Sequence, residues 1–137
     1  MSKYNTLTKY ISLIEHDEEG KWIIDTKGKG IHDSPIQMPF VSYSRAVYSF
    51  IDDLYKFCED HPEYDHTNYR KTLNEYGIEW SDKSMENANV TTLDDKAIIA
   101  LLIGVTRADR FCEGTLMSYF RKGIIKNWLL RLEELDN

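Results

Sequence analysis

The densest group of chemically active side chains in this sequence is the segment Arg107-Ala-Asp-Arg-Phe-Cys-Glu-Gly114. It follows a long apolar run, so its charged groups stand where a predicted helix leaves the core. A guanidinium can hold a carboxylate in a two-pronged contact, and such pairing would fix the corner between two helices. The groups concerned are Arg107, Arg110, Asp109 and Glu113. We predict that this structural staple is the main role of the segment.

The same region carries an excess of positive charge, which suggests a second interpretation. If these side chains converge, they could receive a phosphate or an acidic partner. The cations are Arg107, Arg110, Arg121, Lys122, Lys126 and Arg131. The alternative to the staple is therefore a site for a small anionic ligand or a nucleotide, formed by the arginines at 107, 110 and 121.

Imidazoles and carboxylates, which transition metals accept as ligands, are concentrated in Glu59-Asp-His-Pro-Glu-Tyr-Asp-His66. The spacing of His61 and His66 matches no established metal motif, and Pro62 keeps them off a shared helical face. A solvated acidic turn is therefore favoured, and we predict neither a metal nor a cofactor. A hydrolase using the His61 region is kept only as a third alternative.

Other segments match catalytic or phosphate-binding patterns only in part. Thr26-Lys-Gly-Lys-Gly30 leads towards an extended run and not into a helix, which favours a hairpin link over a phosphate cradle. Cys112 has Arg110 nearby but no neighbouring His, and a helical Cys is usually a small apolar filler. Asp52 and Asp53 are adjacent and point to different sides of a helix, so they cannot act as a carboxylate pair unaided. A non-enzymatic role is favoured.

Tyrosine is abundant, with nine residues in the chain. Tyr48 and Tyr55 are one heptad apart and therefore share a flank of a predicted helix, beside its apolar stripe. Tyrosines in such places occur in partner surfaces as well as at ordinary core margins. The core margin is favoured because a small domain needs its aromatic rings inside. A partner surface at these two residues is the alternative.

All of these side chains depend for their positions on the stretch 92–106. It opens with Thr92 as a predicted cap and with Asp94 and Asp95 in the first turn, where carboxylates favour the positive end of the helix dipole. It then runs almost wholly apolar for helical length, and a helix that is apolar on every face must be surrounded by protein. We predict a buried central helix that ends near Arg107.

The segments around this stretch predict the elements that enclose it. Apolar residues recur with helical period over 7–14, 47–58, 67–76, 116–120 and 125–135. Two extended runs, 21–25 and 36–41, predict a hairpin, with Pro39 placing the second strand at an edge. The segment 79–90 reads as a surface loop. The expected fold is a single mainly α (α+β) domain over 1–137: a helical bundle around the central helix, covered by 47–58 and 125–135, with a small N-terminal two-stranded β-hairpin.

Length and charge limit the classes of function. A chain of 137 residues allows one domain with a proper core. With 17 Lys plus Arg against 23 Asp plus Glu, the net charge of −6 works against broad nucleic-acid binding. The two cysteines are far apart in a chain with no apolar leader, and the longest apolar run, 97–103, is too short to span a bilayer. We therefore expect a cytoplasmic protein without a membrane anchor.

The C-terminal third carries a recognisable succession of residues. The segment 107–114 is followed by a short helix ending at Gly123 and by a closing Arg131-Leu132. This succession resembles a small bacterial and phage family of unknown function whose members read Arg-x-x-Arg-Phe-x-x-Gly; Arg110, Phe111 and Gly114 match that motif. The segments 43–55 and 64–69 are similar to earlier parts of the family, but the N-terminal hairpin does not align. The resemblance implies a cytoplasmic, mostly helical domain and carries no established activity.

The resulting functional prediction is a non-enzymatic protein of bacterial, phage or mobile-element origin that docks on a partner protein as an inhibitor or regulator. It rests on the absence of a nucleophile and base pair, a metal spacing or a phosphate loop from the sequence. The sequence does not identify the partner, and it is compatible with a homodimer.

Overall fold

A computed structural model describes residues 3–16, 20–23 and 40–136 of the chain. The predicted fold class is confirmed, because the chain is mainly α with a small two-stranded antiparallel sheet near the N-terminus. The elements, in chain order, are α1 (Asn5–Thr8), α2 (Tyr10–His16), β1 (Gly20–Ile23), β2 (Phe40–Tyr43), α3 (Arg45–Asp60), α4 (Tyr69–Glu75), α5 (Asp82–Glu86), a 3-10 turn (Val90–Thr92), α6 (Asp95–Phe111), α7 (Thr115–Arg121) and α8 (Ile124–Leu135).

Helix α6 is the buried centre of the fold, as its uniformly apolar sequence predicts. Every residue from Ala97 to Thr106 is buried. Helix α8 packs on it as predicted, but its other close neighbours are α4 and α7, whereas α3 packs chiefly on α1 and α2. Gly104 allows side chains of α4 and α5 to approach α6 closely. A Cβ added at Gly104 would meet Leu73 Cδ1 of α4 at 3.4 Å and Met85 Sδ of α5 at 3.3 Å. The absent side chain makes room for those neighbours.

The ends of α6 differ from the prediction. Asp94, and not Thr92, is the N-cap, since its carboxylate accepts a hydrogen bond from the backbone N of Ala97 at 3.1 Å. Thr92 instead closes the preceding 3-10 turn, and Leu93 is extended. At its other end the helix continues past Arg107 for one more turn and finishes at Phe111. This extra turn places residues 107–111 of the charged segment on the helix, and only 112–114 form the turn to α7.

Several smaller elements also depart from the sequence prediction. The predicted helix over 7–14 is two short helices, α1 and α2, that meet at Lys9. The predicted loop over 79–90 contains α5, whose first turn is capped by the Ser81 hydroxyl. A glycine directly after the helical run 67–76 predicts a left-handed cap, which is confirmed by the φ of 75° at Gly77, and Ile78 folds back into the core.

The sheet pairs Gly20 with Tyr43 and Ile23 with Phe40. The second strand is described from Phe40 to Tyr43, and residues 36–39 of the predicted run 36–41 lie outside the described residues. A Cβ on Gly20 would lie 2.7 Å from the Ser42 carbonyl oxygen, so only glycine fits there. The predicted link 26–30 and the edge position of Pro39 lie outside the described residues.

Candidate functional site

Asp109 accepts three hydrogen bonds at the corner between α6 and α7 and connects this corner to other elements. Its Oδ1 accepts hydrogen bonds from the Tyr43 hydroxyl at 2.7 Å and from the backbone N of Gly114 and Leu116 at 3.0 and 3.1 Å. The Tyr43 hydroxyl in turn accepts from the backbone N of Met117 at 3.2 Å. Burial, and then the bond to Asp109, raise the pKa of Tyr43, which keeps the hydroxyl a donor. One carboxylate thus ties the start of α7 to strand β2.

Glu113 makes the second tie at this corner. Its Oε1 accepts a hydrogen bond from the backbone N of Val41 at 3.1 Å, although the side chain lies at the surface. The acids of the segment therefore act as a staple, but with partners other than those predicted. Neither acid pairs with Arg107 or Arg110, because Tyr43 and backbone N–H groups occupy them.

Arg107 is directed towards α3. Its Nε donates to the Tyr55 hydroxyl at 2.9 Å, and its guanidinium carbon lies 5.4 Å from the centre of the Tyr55 ring. His66 meets the same ring edge-on at 6.0 Å. The structure thus brings together Arg107 and Tyr55, which the sequence assigned to two separate hypotheses. Tyr48 reaches the corner only through Tyr43, whose ring it meets edge-on at 6.0 Å, and its side chain is half exposed.

The remaining cations of the C-terminal third are directed to different parts of the fold. Arg121 donates from Nη2 to the Gly20 carbonyl oxygen at 3.0 Å, and Lys122 pairs with Glu86 at 2.9 Å. Arg131 donates to the Leu93 carbonyl oxygen at 3.0 Å. Arg107 and Arg121 therefore have protein partners on different elements, α3 and β1.

The outermost part of the corner consists of Arg110, Phe111 and Cys112, all of which are exposed. The Phe111 ring is 81 % exposed, the most of any large hydrophobic side chain in the described ranges. The prediction that Cys112 is an apolar filler is wrong, because this residue is the C-cap of α6 and its side chain faces outward. The other cysteine, Cys58, is the buried one.

Trp80 and Arg70, which sequence reasoning did not select, complete this side of the molecule. The Trp80 and Phe111 rings meet edge-on with centroids 5.9 Å apart, and the Arg70 guanidinium carbon lies 4.8 Å from the centre of the Trp80 ring. Trp80 Nε1 donates to the Gly104 carbonyl oxygen at 2.9 Å, which fixes the indole against α6. Trp80 belongs to the segment 79–90, which the sequence predicted as a surface loop, and no local pattern links it to Phe111.

A groove of about 190 Å³ separates α5 from the end of α6. Its wall is mostly apolar, and Cys112 lies at its edge. The apolar lining residues are Trp80, Met85, Ala108 and Phe111. We call the groove and its flank the corner surface, defined by Tyr55, Arg70, Trp80, Arg107, Arg110 and Phe111.

A larger groove, of about 550 Å³, lies along α5 and the 3-10 turn and contains none of the predicted site residues. Its polar side chains are used within the local turns. The Ser84 hydroxyl accepts from the backbone N of Glu79 at 2.9 Å, and Asn87 Nδ2 donates to the Lys83 carbonyl oxygen at 2.8 Å. The polar groups of this groove therefore stabilise the loop that forms it.

The start of α6 is held by a second polar cluster, which sequence reasoning also missed. Asp95 Oδ2 accepts from the hydroxyls of Tyr4 at 2.7 Å and Tyr64 at 2.5 Å, and these hydroxyls lie 2.8 Å apart. Burial alone would raise the pKa of Asp95, but the two hydroxyl donors outweigh it and the pKa is lowered. The only sequence signal was the placement of Asp95 in the first turn of α6. The cluster ties the N-terminal helix to the core.

The histidines of 59–66 have aromatic and backbone contacts. His61 stacks on Phe57 with ring centroids 4.3 Å apart, and its Nδ1 lies 3.0 Å from the Phe57 carbonyl oxygen. Across residues 3–16, 20–23 and 40–136, no group of three or more His, Cys, Asp or Glu side chains is arranged to hold a metal ion. The acids of the turn, such as Asp65, cap the following backbone at Thr67 and Asn68.

The two cysteines give a direct test of the corner's exposure. We expect a maleimide reagent at neutral pH to modify Cys112 of the folded protein within minutes and to leave Cys58 unmodified. Burial raises the pKa of Cys58 to about 12 and also blocks access, whereas a thiol reacts as an exposed thiolate. Mass spectrometry after proteolysis identifies the modified residue. Equal labelling of both thiols without denaturant would contradict the described packing.

Within the described ranges, no helix combines the length and the apolar character needed to cross a bilayer. Neither a curated protein nor a solved structure matches the chain. The profile of a family described only as a family of unknown function, DUF6508, matches residues 2–137. This match extends beyond the segments that carried the resemblance in the sequence and includes the N-terminal region. The chain therefore belongs to the DUF6508 family of unknown function.

Proposed function

We propose that this protein is a non-enzymatic cytoplasmic docking protein, of bacterial, phage or mobile-element origin, that inhibits or regulates a partner protein by binding it through the corner surface. The observation that carries the proposal is the exposure of Phe111, which is 81 % exposed although it lies two residues after Asp109, whose carboxylate accepts three hydrogen bonds. An exposed phenyl ring gains free energy only when another surface covers it.

The composition of the corner surface supports the same proposal. Tyrosine, tryptophan and arginine are the residues that most often contribute large binding energies at protein interfaces, and aromatic residues and arginine are enriched there. Here Arg70 lies over the Trp80 ring, Trp80 meets Phe111, and Arg107 lies over the Tyr55 ring. The Trp80 bond to Gly104 and the Arg107 bond to Tyr55 fix these side chains before binding, which lowers the entropy cost of ordering them.

A binding site for a small anionic ligand has less support. It requires the guanidinium groups of Arg107, Arg110 and Arg121 to face one point, yet Arg107 donates to Tyr55 and Arg121 to Gly20. A thermal shift assay against a panel of nucleotides tests it, because a ligand that binds only the folded state raises the melting temperature.

Phe111→Ala is expected to weaken partner binding at least tenfold, about 1.4 kcal/mol, while the free energy of unfolding changes by less than about 0.5 kcal/mol. A photoactivatable maleimide on Cys112 places a cross-linker at the edge of the groove. The measurement is the yield of a defined cross-linked partner from an extract of the source cells, for the wild type and the variant.

The matched control is Leu13→Ala, which removes an exposed hydrophobic side chain from α2, an element that does not line the groove. It should leave the cross-linking yield unchanged. If Phe111→Ala and Leu13→Ala give the same yield as the wild type, docking through the corner surface is wrong.

A further inference from the structure

Three arginines of the corner surface have no carboxylate partner in the described part of the chain. Arg70 lies over the Trp80 ring, and Arg107 donates to the hydroxyl of Tyr55. Arg110 is exposed and forms neither a hydrogen bond nor an ion pair with any described residue. By contrast, Lys9, Lys56 and Lys122 each pair with an acid within 4 Å. In a chain with a net charge of −6, this is a local concentration of uncompensated positive charge.

Three acids of the corner and the groove are bonded to other groups. Asp109 accepts from Tyr43 and two backbone N–H groups, and Glu113 accepts from Val41. Asp82, at the groove, accepts from the Tyr119 hydroxyl at 3.1 Å. None of these carboxylates is positioned as an ion-pair partner of the three guanidinium groups, so the cations are available to an acid from outside.

The groove beside them can receive one apolar side chain. Met85, which is 1 % exposed, contributes to its lining, and the rings of Trp80 and Phe111 form its wall. Its volume of about 190 Å³ exceeds that of a single large hydrophobic side chain. Apolar burial would supply the affinity, and the arginines around it would select the charge and register of what binds.

Resting on the proposed function, we propose that the partner binds the corner surface with an acidic segment, in which an apolar side chain enters the groove and flanking carboxylates pair with Arg70 and Arg110. Guanidinium groups bind carboxylates in a bidentate geometry, which fixes orientation as well as charge. A protein segment fits better than a nucleic acid, because the lining of the groove is mostly apolar and suits an apolar side chain.

Four fluorescein-labelled probes test this proposal by fluorescence anisotropy. The first is a short peptide in which Asp and Glu flank a single Phe. The second replaces its acids with Lys, the third replaces its Phe with Ser, and the fourth is an oligothymidine. We expect only the first peptide to bind the wild-type protein measurably. The affinity should fall at least tenfold for Arg110→Glu and for Phe111→Ala.

The matched control is Lys96→Glu, which makes the same charge change on an exposed residue at the opposite end of α6. It should change the affinity less than twofold, and far-ultraviolet circular dichroism confirms that each variant is folded. The proposal of an acidic partner segment is wrong if the Lys peptide binds equally well, if only the oligothymidine binds, or if no probe binds. It is also wrong if Arg110→Glu and Lys96→Glu lower the affinity equally. If cross-linking from Cys112 still depends on Phe111 in that case, the proposed docking function is retained without the acidic segment. If the cross-linking does not depend on Phe111, the proposed docking function is wrong as well.

Discussion

Replacing Asp109 with Ala is expected to lower the free energy of unfolding by about 3–4 kcal/mol, since it removes the one acceptor shared by Tyr43, Gly114 and Leu116. Hydrogen bonds to a charged group are the stronger kind, and the loss leaves three donors without a partner at a partly buried corner. The N-cap of α7, Gly114, has no side chain that could substitute. Urea denaturation followed by circular dichroism measures the change.

Two further variants test whether the lower free energy of unfolding is caused by the missing acceptor oxygen. Asp109→Asn keeps an acceptor oxygen and should cost less than half as much. Asp52→Ala removes an exposed carboxylate that makes no hydrogen bond or ion pair with described residues, and it should change stability by less than about 0.5 kcal/mol. If Asp109→Ala costs no more than Asp52→Ala, the corner is not held by this carboxylate.

The protein is expected to unfold cooperatively in alkali, between about pH 10 and pH 12. Six of its nine tyrosines donate to an Asp carboxylate or carry a pKa raised by burial and a neighbouring acid. They are Tyr4, Tyr10, Tyr43, Tyr64, Tyr76 and Tyr119. Burial is the largest cause in each, and the pKa of Tyr4 and of Tyr76 rises to about 12.

The direction of the pH effect follows from the raised pKa of the folded state. An unfolded tyrosine ionises near its ordinary pKa of 10, so the stabilisation is complete below pH 10 and is lost as the pH rises through the folded pKa. Each hydroxyl that is ionised only in the unfolded state removes about 1.4 kcal/mol per pH unit. Tyr4, Tyr10, Tyr64 and Tyr119 are buried, so each contributes almost fully to this pH dependence of the unfolding free energy. Tyr43 and Tyr76 are half-buried and contribute less, because solvent screens their charge.

The measurement is the free energy of unfolding in urea as a function of pH, together with tyrosinate absorbance near 295 nm. Absorbance from the six tyrosines should rise together with the loss of helical signal. Tyr119→Phe should reduce the steepness of the pH dependence, and Tyr48→Phe, which alters a side chain that is half exposed, should not. A constant free energy of unfolding from pH 9 to pH 12 would contradict the Tyr–Asp network.

The sequence was sufficient for features that depend on local pattern. The apolar run 97–106 predicted a buried helix because no solvent-facing side existed for it. The stripe over 47–58 likewise predicted α3, and Gly77 predicted its left-handed turn. Helix ends were less certain. Thr92 and Asp94 are both good caps, and the 3-10 turn that includes Thr92 decided between them.

The partners of the corner could not be predicted in the same way. Local spacing suggested that Arg107 and Arg110 would pair with Asp109 and Glu113, because these groups are neighbours along the chain. In the fold, Asp109 meets Tyr43 from a position 66 residues earlier, and Glu113 meets Val41 from 72 residues earlier. Because both acids bond to these distant groups, Arg107 bonds to Tyr55 instead, and Arg110 has no partner among the described residues.

The sequence by itself determined which segments are apolar enough to be buried, and hence the central helix, the mainly α fold and the presence of a charged segment at the end of the core helix. Only the tertiary structure decided that Trp80 meets Phe111 and carries Arg70 over its ring, and that Asp109 and Glu113 bond to β2 and the start of α7 while Arg107 bonds to Tyr55. The physical reason is that burial follows from local composition, whereas the pairing of a charged side chain depends on which distant segment the packed core places within hydrogen-bonding distance.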